Sequence, residues 1–429
     1  MATQSLKAAI PAPVRDGVAI VLDVLHIRKR YISEPQGFDP KTGLKVDVAV
    51  YFPDFMPKAY QLTQWLAVLE NHPADLTFGL VVRKIPVYLE LKEMTKLPIA
   101  FVPSFADLME LCRISPFKAV MYVNNGVGNF QSLTVAELAH IHVNHGESDK
   151  ICMVSNQVKA YDRVFVAGQA AVLRHRAALS EFNEEVLVRV GRPQLDENPA
   201  PSIPESTRRT VLYAPTWAGE DEANNYTSME FMGSQITDAI LAQDNVRVIY
   251  KPHPRIADAE DQRIRKNHSY VLRAIKQANS KDSSAGHQVR ESGDILAIFP
   301  RIDVLISDVS SVALDFLYLR TDAPIILTDR RNNIDQLRID SPLSAATPVL
   351  TKDNIKDAKK IISEVLAADN FVQDRKVLRE FYFDNVQAGE SAPRFYQAMR
   401  DAINAHSADV ARAKSLAESG TGPRFEHRA

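Results

Sequence analysis

Short apolar runs alternate with amphipathic stretches along most of the chain. In the first half, strands are predicted by the runs at residues 45–52, 76–82, 99–102, 119–123, 139–143, 163–167 and 186–190. Helical spacing separates several of these runs, as at residues 59–69, 105–112 and 169–179. Strands that alternate with helices are typical of a parallel, doubly wound sheet. The first half is therefore predicted to form an α/β domain.

The same alternation restarts in the second half of the chain. Strands are predicted at residues 210–213, 246–250, 304–306 and 324–327, and helices at 229–242, 263–277, 294–299, 312–319, 354–367 and 371–383. Between the halves, residues 193–206 contain four prolines and few apolar residues, which is typical of a linker. These patterns predict domains at 17–192 and 207–390, followed by a helix at 391–418 that we expect to pack back toward the first domain.

Composition narrows the class of protein. A chain of 429 residues is too long for one ordinary core, and 45% hydrophobic with 24% charged residues is typical of a folded soluble protein. A net charge of −2 gives no basic field for nucleic acid. Two cysteines provide neither a disulfide framework nor metal-ligand spacing, so we expect no metal and no cofactor. Without an apolar run of roughly 18 residues, we expect a cytoplasmic protein with peripheral membrane contact at most.

Small polar residues follow the apolar run at 304–306. Ser307 and Asp308 come first, then Ser310 and Ser311, at the start of a predicted helix. Unpaired amides in the first turn of a helix, with the positive end of its dipole behind them, form a phosphate site. Asp308 and Asp315 are seven residues apart, which in a helix places them on one face, where one caps and the other accepts from sugar hydroxyls. The alternative is a plain helix cap with ordinary surface acids.

Other polar side chains also follow predicted strands directly. His145 ends the strand at 139–143, where α/β sheets hold their ligands, and Thr216 follows the strand at 210–213. Lys251 and His253 alternate with two prolines, which fix the loop and present a rigid cationic pair suited to pyrophosphate. The alternative for His145 is a histidine in an ordinary turn, and for Lys251 and His253 it is a plain turn. For Thr216, the alternative is a position beside a tryptophan that belongs to the core.

Two parallel sheets would bring these strand ends to the facing edges of the two domains. The first domain contributes His145, and the second contributes Thr216, His253 and the 307–311 loop. Ligands of open parallel sheets bind outside the carboxyl ends of the strands. The sequence therefore predicts a nucleotide-diphosphate site in one shared cleft.

The motifs at these strand ends resemble those of the CDP-glycerol glycerophosphotransferase family, the teichoic-acid polymerases and primases and related capsule polymerases. The matching segments are VLYAPTW at 211–217, KPHP at 251–254, ISDVSSVALDF at 306–316, His145-Gly146 with Lys150, RVGRP at 189–193 and DNVQAGESAPR at 384–394. They occur in the family's order over residues 138–400.

The resemblance implies a GT-B architecture, that is, two Rossmann-like domains facing a cleft with the donor nucleotide mainly on the second. It implies transfer of glycerophosphate from CDP-glycerol to a hydroxyl of a lipid-linked or polymeric acceptor at the cytoplasmic membrane face, with release of CMP. By position, His145 would be the base for the acceptor hydroxyl and His253 would contact the donor diphosphate. Ser310 and Ser311 would hold phosphate, with Asp308 nearby.

One segment departs from the family pattern. Where the family often has threonine and proline after the histidine-glycine pair, this chain has Glu147, Ser148 and Asp149 before Lys150. Two acids beside the base would repel a polyanionic acceptor, but they would suit the hydroxyls of a sugar, so Glu147, Asp149 and Lys150 are predicted to set acceptor specificity. Two alternatives therefore stay open: a GT-B glycosyltransferase that uses a nucleotide sugar, and a non-catalytic GT-B-like nucleotide-binding protein.

Overall fold

The computed structural model describes residues 43–197 and 199–419, which form two parallel sheets. Residues 17–42 of the predicted first domain lie outside this part. The first sheet contains β1 (Val48–Phe52), β2 (Phe78–Val82), β3 (Ile99–Phe101), β4 (Ala119–Tyr122), β5 (Ala139–His142), β6 (Arg163–Val166) and β7 (Leu187–Arg189). Its strand order is β3-β2-β1-β4-β5-β6-β7, and every pair is parallel.

The second sheet lies entirely in the second half of the chain. It contains β8 (Arg209–Ala214), β9 (Val246–Tyr250), β10 (Gln288–Val289), β11 (Val304–Asp308), β12 (Ile325–Asp329) and β13 (Val349–Thr351). The strand order is β10-β9-β8-β11-β12-β13, again all parallel. The edge strands β10 and β13, of two and three residues, were not predicted.

Helices cover both faces of each sheet. Those of the first domain are α1 (Tyr60–Thr63), α2 (Leu66–Glu70), α3 (Ile85–Met94), α4 (Phe105–Ile114) and α5 (Gln169–Ala178). The second domain has α6 (Gly233–Leu241), α7 (Gln262–Lys281), α8 (Ser311–Leu319), α9 (Ile334–Asp340), α10 (Ala358–Ala367) and α11 (Val372–Phe383), and α12 (Ser391–Glu418) ends the described chain. Alternate residues of β1 enter different cores, as do those of β8, so both sheets are buried on both faces. The predicted α/β fold of two Rossmann-like domains is confirmed.

The helices predicted at 229–242 and 354–367 begin as 3-10 turns, and two other predicted helices differ more from the structure. The helix predicted at 59–69 is two short helices, α1 and α2, and the break comes at Trp65, which buries its ring and donates its indole N–H to the Asn144 carbonyl at 2.8 Å. The helix predicted at 294–299 is wrong. The Asp294 carboxylate accepts the Leu296 amide there at 2.9 Å, a local turn that competes with the helix, and only a 3-10 turn follows at Phe299–Arg301.

The proline-rich segment at 193–206 is not a loose spacer in its described residues. It begins with a 3-10 turn at Pro193–Leu195, and Leu195 and Ile203 are buried in a core of the second domain. The carboxylate of Asp196 accepts the Ala392 amide at 2.6 Å. The segment therefore fixes the start of α12 as well as joining the two sheets.

The last helix, α12, returns to the first domain. Its Phe395 ring lies 5.2 Å from the Trp65 ring, and the Tyr396 hydroxyl donates to the Val68 carbonyl at 2.5 Å. The guanidinium of Arg400 makes two hydrogen bonds to Asp75, at 2.8 and 2.9 Å. The first domain is therefore completed by residues that follow the second domain in sequence.

Membrane-spanning helices can be assessed for the described ranges. Among residues 43–197 and 199–419, no helix combines the length and the apolarity that crossing a lipid bilayer requires.

Replacing Phe395 by Ala tests the contribution of α12 to the first domain. Truncation of a fully buried aromatic ring leaves a cavity, so we expect the free energy of unfolding to fall by about 3–5 kcal/mol. The chain has two tryptophans, and Trp65 lies in a core of the first domain. In a Trp217→Phe background, Trp65 fluorescence therefore reports on the unfolding of that domain in urea. Leu416→Ala, at an exposed position of the same helix, is the control and should change little. Equal midpoints for the two variants would contradict the packing.

Candidate active site

The loop after β5 holds His145 at the carboxyl edge of the first sheet. Asn144 adopts a left-handed φ of 56°, which asparagine tolerates better than most residues, and its side chain accepts the His145 amide at 2.8 Å. The imidazole Nδ1 lies 3.3 Å from the Val123 carbonyl. Because a carbonyl only accepts, Nδ1 carries the proton, and Nε2 keeps its lone pair. Burial, helped by the charge of Arg192, lowers the pKa of His145 to about 4.

His253 has the opposite tautomer across the cleft. Its Nδ1 accepts the Arg255 amide at 3.2 Å, so in the neutral ring Nε2 carries the proton. Burial, with smaller contributions from Lys150, Arg255 and Lys251, lowers the pKa of His253 to about 3. The predicted cationic pair of Lys251 and His253 is therefore corrected: Lys251 is the cation, and His253 is a neutral hydrogen-bond donor in the free protein.

The two histidines face each other around one tyrosine. The ring of Tyr60 lies 5.7 Å from the His145 ring and 6.4 Å from the His253 ring, edge-on to both. On its other side, His253 stacks on Trp217 at 5.9 Å. An aromatic row therefore joins the two domains across the cleft.

Two further contacts bring the predicted loops together. The Lys150 ammonium donates to the Thr216 hydroxyl at 3.1 Å. A Cβ built on Gly146 would lie 3.5 Å from Cβ of Ser311, so the histidine-glycine loop contacts the start of α8 closely. The structure thus brings the histidine-glycine loop of the first domain against the Thr216 loop and the start of α8 in the second.

The structure gives Ser307 and Asp308 internal partners instead of donor contacts. Asp308 is fully buried at the end of β11, not on a helix face with Asp315, and its carboxylate accepts the Thr216 amide at 2.7 Å and the Thr328 hydroxyl at 2.6 Å. The Ser307 hydroxyl donates to a backbone carbonyl of β8 at 3.0 Å. Direct binding of the donor by these two side chains is therefore corrected to positioning of the Thr216 loop.

The helix α8 begins where it was predicted to begin, but not every polar side chain near its start is available to a ligand. Ser310 takes the N-cap position, although its hydroxyl makes no capping hydrogen bond, and Ser311 is the first helical residue. The first-turn amides of a helix have no acceptor within the helix. Asp315 does not face a ligand, because the buried Arg192 guanidinium donates to it at 3.0 and 3.2 Å. Its predicted donor contact is replaced by an ion pair.

Glu147 and Asp149 are buried ion-pair residues and not free acceptor ligands. The Arg174 guanidinium donates to Glu147 at 2.5 Å and to Asp149 at 3.0 Å. The other carboxylate oxygen of Asp149 accepts the hydroxyls of Ser341 at 2.8 Å and Tyr382 at 2.6 Å, both from the second domain. The prediction that these acids contact the acceptor is corrected: they fix the His145 loop against the second domain.

Lys251 and Lys150 are the predicted cations that stay near the cleft. Lys251 is mostly buried directly after β9, and its amide donates to the Tyr213 carbonyl at 2.9 Å. Burial lowers the pKa of both ammonium groups. Among the described residues, no group of three or more His, Cys, Asp or Glu side chains is arranged to hold a metal ion.

Sequence reasoning missed Tyr60, Arg174 and the pairing of Arg192. Tyr60 was only one apolar position in a predicted helix, and Arg174 was one of several basic residues in another. A signal existed for Arg174, because two acids in a strand-end loop need a cation once the loop is buried. Nothing local identified the partner, which lies 27 residues from Glu147.

Replacing Arg174 by Met tests the buried ion pairs. The change leaves two carboxylates buried without their cation, so we expect the free energy of unfolding to fall by about 3–5 kcal/mol. Urea unfolding measures the loss. Arg176→Met, on the same helix and in an exposed ion pair with Glu184, is the matched control and should have little effect. Similar stability for both variants would show that Glu147 and Asp149 do not depend on Arg174.

Comparison with solved structures shows the fold. A Listeria monocytogenes protein provisionally described as a UDP-N-acetylglucosamine 2-epimerase has a TM-score of 0.55 at 13% identity, over 84% of this chain and 97% of that one. S. aureus MnaA with UDP has a TM-score of 0.54 at 13% identity, also over 84% of this chain and 97% of that one. The Wall Teichoic Acid Polymerase TagF with CDPG has a TM-score of 0.50 at 13% identity, over 91% of this chain and 97% of that one.

Comparison with family models finds one similarity, in the second half of the chain. Residues 186–339 match the family described as CDP-Glycerol:Poly(glycerophosphate) glycerophosphotransferase. No curated protein sequence matches the chain. The family match contains Thr216, Lys251, His253 and the start of α8, whereas His145 precedes it. Residues 186–339 therefore carry the similarity to the CDP-glycerol glycerophosphotransferase family, within a chain of GT-B architecture.

Proposed function

We propose that the protein transfers glycerophosphate from CDP-glycerol to a hydroxyl of a teichoic-acid or related cell-wall or capsule glycopolymer and releases CMP. The family match and the similarity to a polymerase soaked with CDPG support the donor. The observation that carries the proposal is the opposite tautomers of His145 and His253. One presents a lone pair and the other an N–H group, on opposite sides of a cleft between two domains.

The reaction needs one proton acceptor and one phosphoryl binder. The oxygen of the acceptor hydroxyl attacks the β-phosphorus of CDP-glycerol, while Nε2 of His145 takes the hydroxyl proton. The bond from the β-phosphorus to the bridging oxygen breaks, and CMP leaves with the electron pair. His145 suits this role because its lowered pKa keeps it neutral at pH 7.

Charge on the phosphoryl oxygens is met from the second domain. His253 donates Nε2–H, Lys251 supplies a positive charge, and the first-turn amides at Ser311 add the positive end of the α8 dipole. Lys150 extends this positive region from the first domain. No cofactor is needed for such a displacement, and we propose none.

The acids beside His145 no longer favour a nucleotide sugar over CDP-glycerol. Their negative charge is compensated by Arg174, and both are buried against the second domain. A polyanionic acceptor therefore does not meet two free carboxylates. The lipid-linked or polymeric acceptor would reach the site at the cytoplasmic membrane face, where we place the protein peripherally.

Replacing His145 by Ala tests the proposed base. General-base assistance is typically worth about 10²–10⁴ in rate, so we expect CMP release to fall by that factor. Binding of CDP-glycerol, measured by calorimetry, should persist because the donor contacts lie on the second domain. His406→Ala, on α12, is the control for loss of a histidine elsewhere.

A donor panel completes this experiment. We expect CMP release with CDP-glycerol. We expect no CMP release with CDP-ribitol and no UDP or GDP release with UDP- or GDP-sugars. Unchanged turnover in His145→Ala would remove His145 from the chemistry. Preference for a nucleotide sugar would replace the proposed function with glycosyl transfer, and binding without turnover on any donor would support a binding protein.

The pH dependence of kcat/KM tests the buried state of His145. The base acts only when it is neutral, and in the protein without substrate the pKa of His145 is lowered to about 4. Activity should therefore persist as the pH falls below about 6.5, the ordinary histidine value, and should decline as it passes through about 4. Initial rates at limiting CDP-glycerol measure this limb, with circular dichroism to confirm folding at each pH. A decline centred near the ordinary value would contradict the burial of the ring.

A further inference from the structure

Tyr60 lies where the proposed reaction takes place. Its ring is edge-on to both imidazoles, at 5.7 Å from His145 and 6.4 Å from His253. If His145 takes the proton and His253 binds the phosphoryl group, the reacting oxygen and phosphorus must lie between those two rings. The tyrosine ring and the attacking oxygen of the acceptor therefore compete for one space.

Few hydrogen bonds hold Tyr60 in its position. It begins α1, a single turn whose N-cap, Ala59, makes no side-chain capping hydrogen bond. The tyrosine hydroxyl is 3.5 Å from the side-chain nitrogen Nε2 of Gln61, a distance at the outer limit of a hydrogen bond. The residue is 41% exposed, so part of its side chain meets solvent while its ring contacts both imidazoles.

Covering the imidazoles has a chemical consequence. Water is a smaller nucleophile than any glycopolymer hydroxyl, and at this site it would attack the same phosphorus. Its oxygen would bond to the β-phosphorus of CDP-glycerol, His145 would take its proton, and CMP would leave with the electron pair. The products would be CMP and free glycerol phosphate, so the donor would be consumed without extension of the polymer.

We propose that Tyr60 is a specificity-determining residue that excludes water from the space between His145 and His253 until the acceptor displaces its ring. This inference rests on the proposed function and adds to it the basis of selectivity for the acceptor hydroxyl over water. Exclusion of water from reactive groups is a recognised means of preventing hydrolysis in transferases.

Two variants separate the ring from the hydroxyl. Tyr60→Ala removes the ring, and Tyr60→Phe keeps it and removes only the hydroxyl. The control is Phe55→Ala, which removes an exposed ring from the preceding loop; Phe55 lies under the Lys84 ammonium at 4.1 Å. Each protein is incubated with radiolabelled CDP-glycerol, with and without acceptor polymer, and CMP, free glycerol phosphate and polymer-bound label are measured.

The ratio of free to polymer-bound label is the deciding quantity. We expect Tyr60→Ala to raise it by at least about tenfold, since water then reaches the phosphorus, while Tyr60→Phe and Phe55→Ala keep the wild-type ratio. An unchanged ratio in Tyr60→Ala, with CMP still released, overturns this inference alone. Loss of both reactions in Tyr60→Ala also overturns it, because the ring would then be needed for the chemistry itself. No CMP release by the wild-type protein overturns the proposed function and this inference together.

Discussion

Two buried carboxylates determine how the halves of this molecule fit together. Glu147 and Asp149 follow a strand of the first sheet closely, and their burial requires compensation by charge and by hydrogen bonds. Arg174 supplies the charge from the first domain, and Ser341 and Tyr382 supply hydroxyls from the second. Because the partners come from both domains, the loop that carries His145 has its full set of contacts only when the domains are closed on each other.

The same constraint decides which polar groups remain for substrates. Asp308 and Ser307 end a central strand, and their oxygens are used to hold the Thr216 loop and the neighbouring strands. Asp315 is similarly committed to Arg192. The carboxylates that sequence motifs place at the cleft therefore organise its walls. The groups that remain for the proposed donor are amides, ammonium ions and one imidazole N–H, all of which suit an anion.

Sequence reasoning predicted the strand ends well and the side-chain partners poorly, for one physical reason. Strand ends follow from local apolar runs and their breaks, so β9 was predicted to the residue and β11 within two residues. Partners depend on the closed fold: Tyr382 lies 233 residues from Asp149, and no local pattern joins them. Likewise, the helix predicted at 59–69 has correct apolar spacing, yet it breaks at Trp65, which hydrogen-bonds to Asn144, a residue 79 positions away.

The charges in the cleft suit an anionic donor while both histidines are still neutral. Burial keeps both imidazoles neutral, with pKa values lowered to about 4 for His145 and about 3 for His253, while Lys150 and Lys251 stay close to His253. A diphosphate between the domains would place negative charge beside His253, and opposite charge raises the pKa of an imidazole. The rise would be smaller at His145, which lies on the other side of Tyr60. His253, the proposed phosphate binder, would thus gain proton affinity when a donor binds, whereas His145, the proposed base, would keep the lone pair that an acceptor hydroxyl needs.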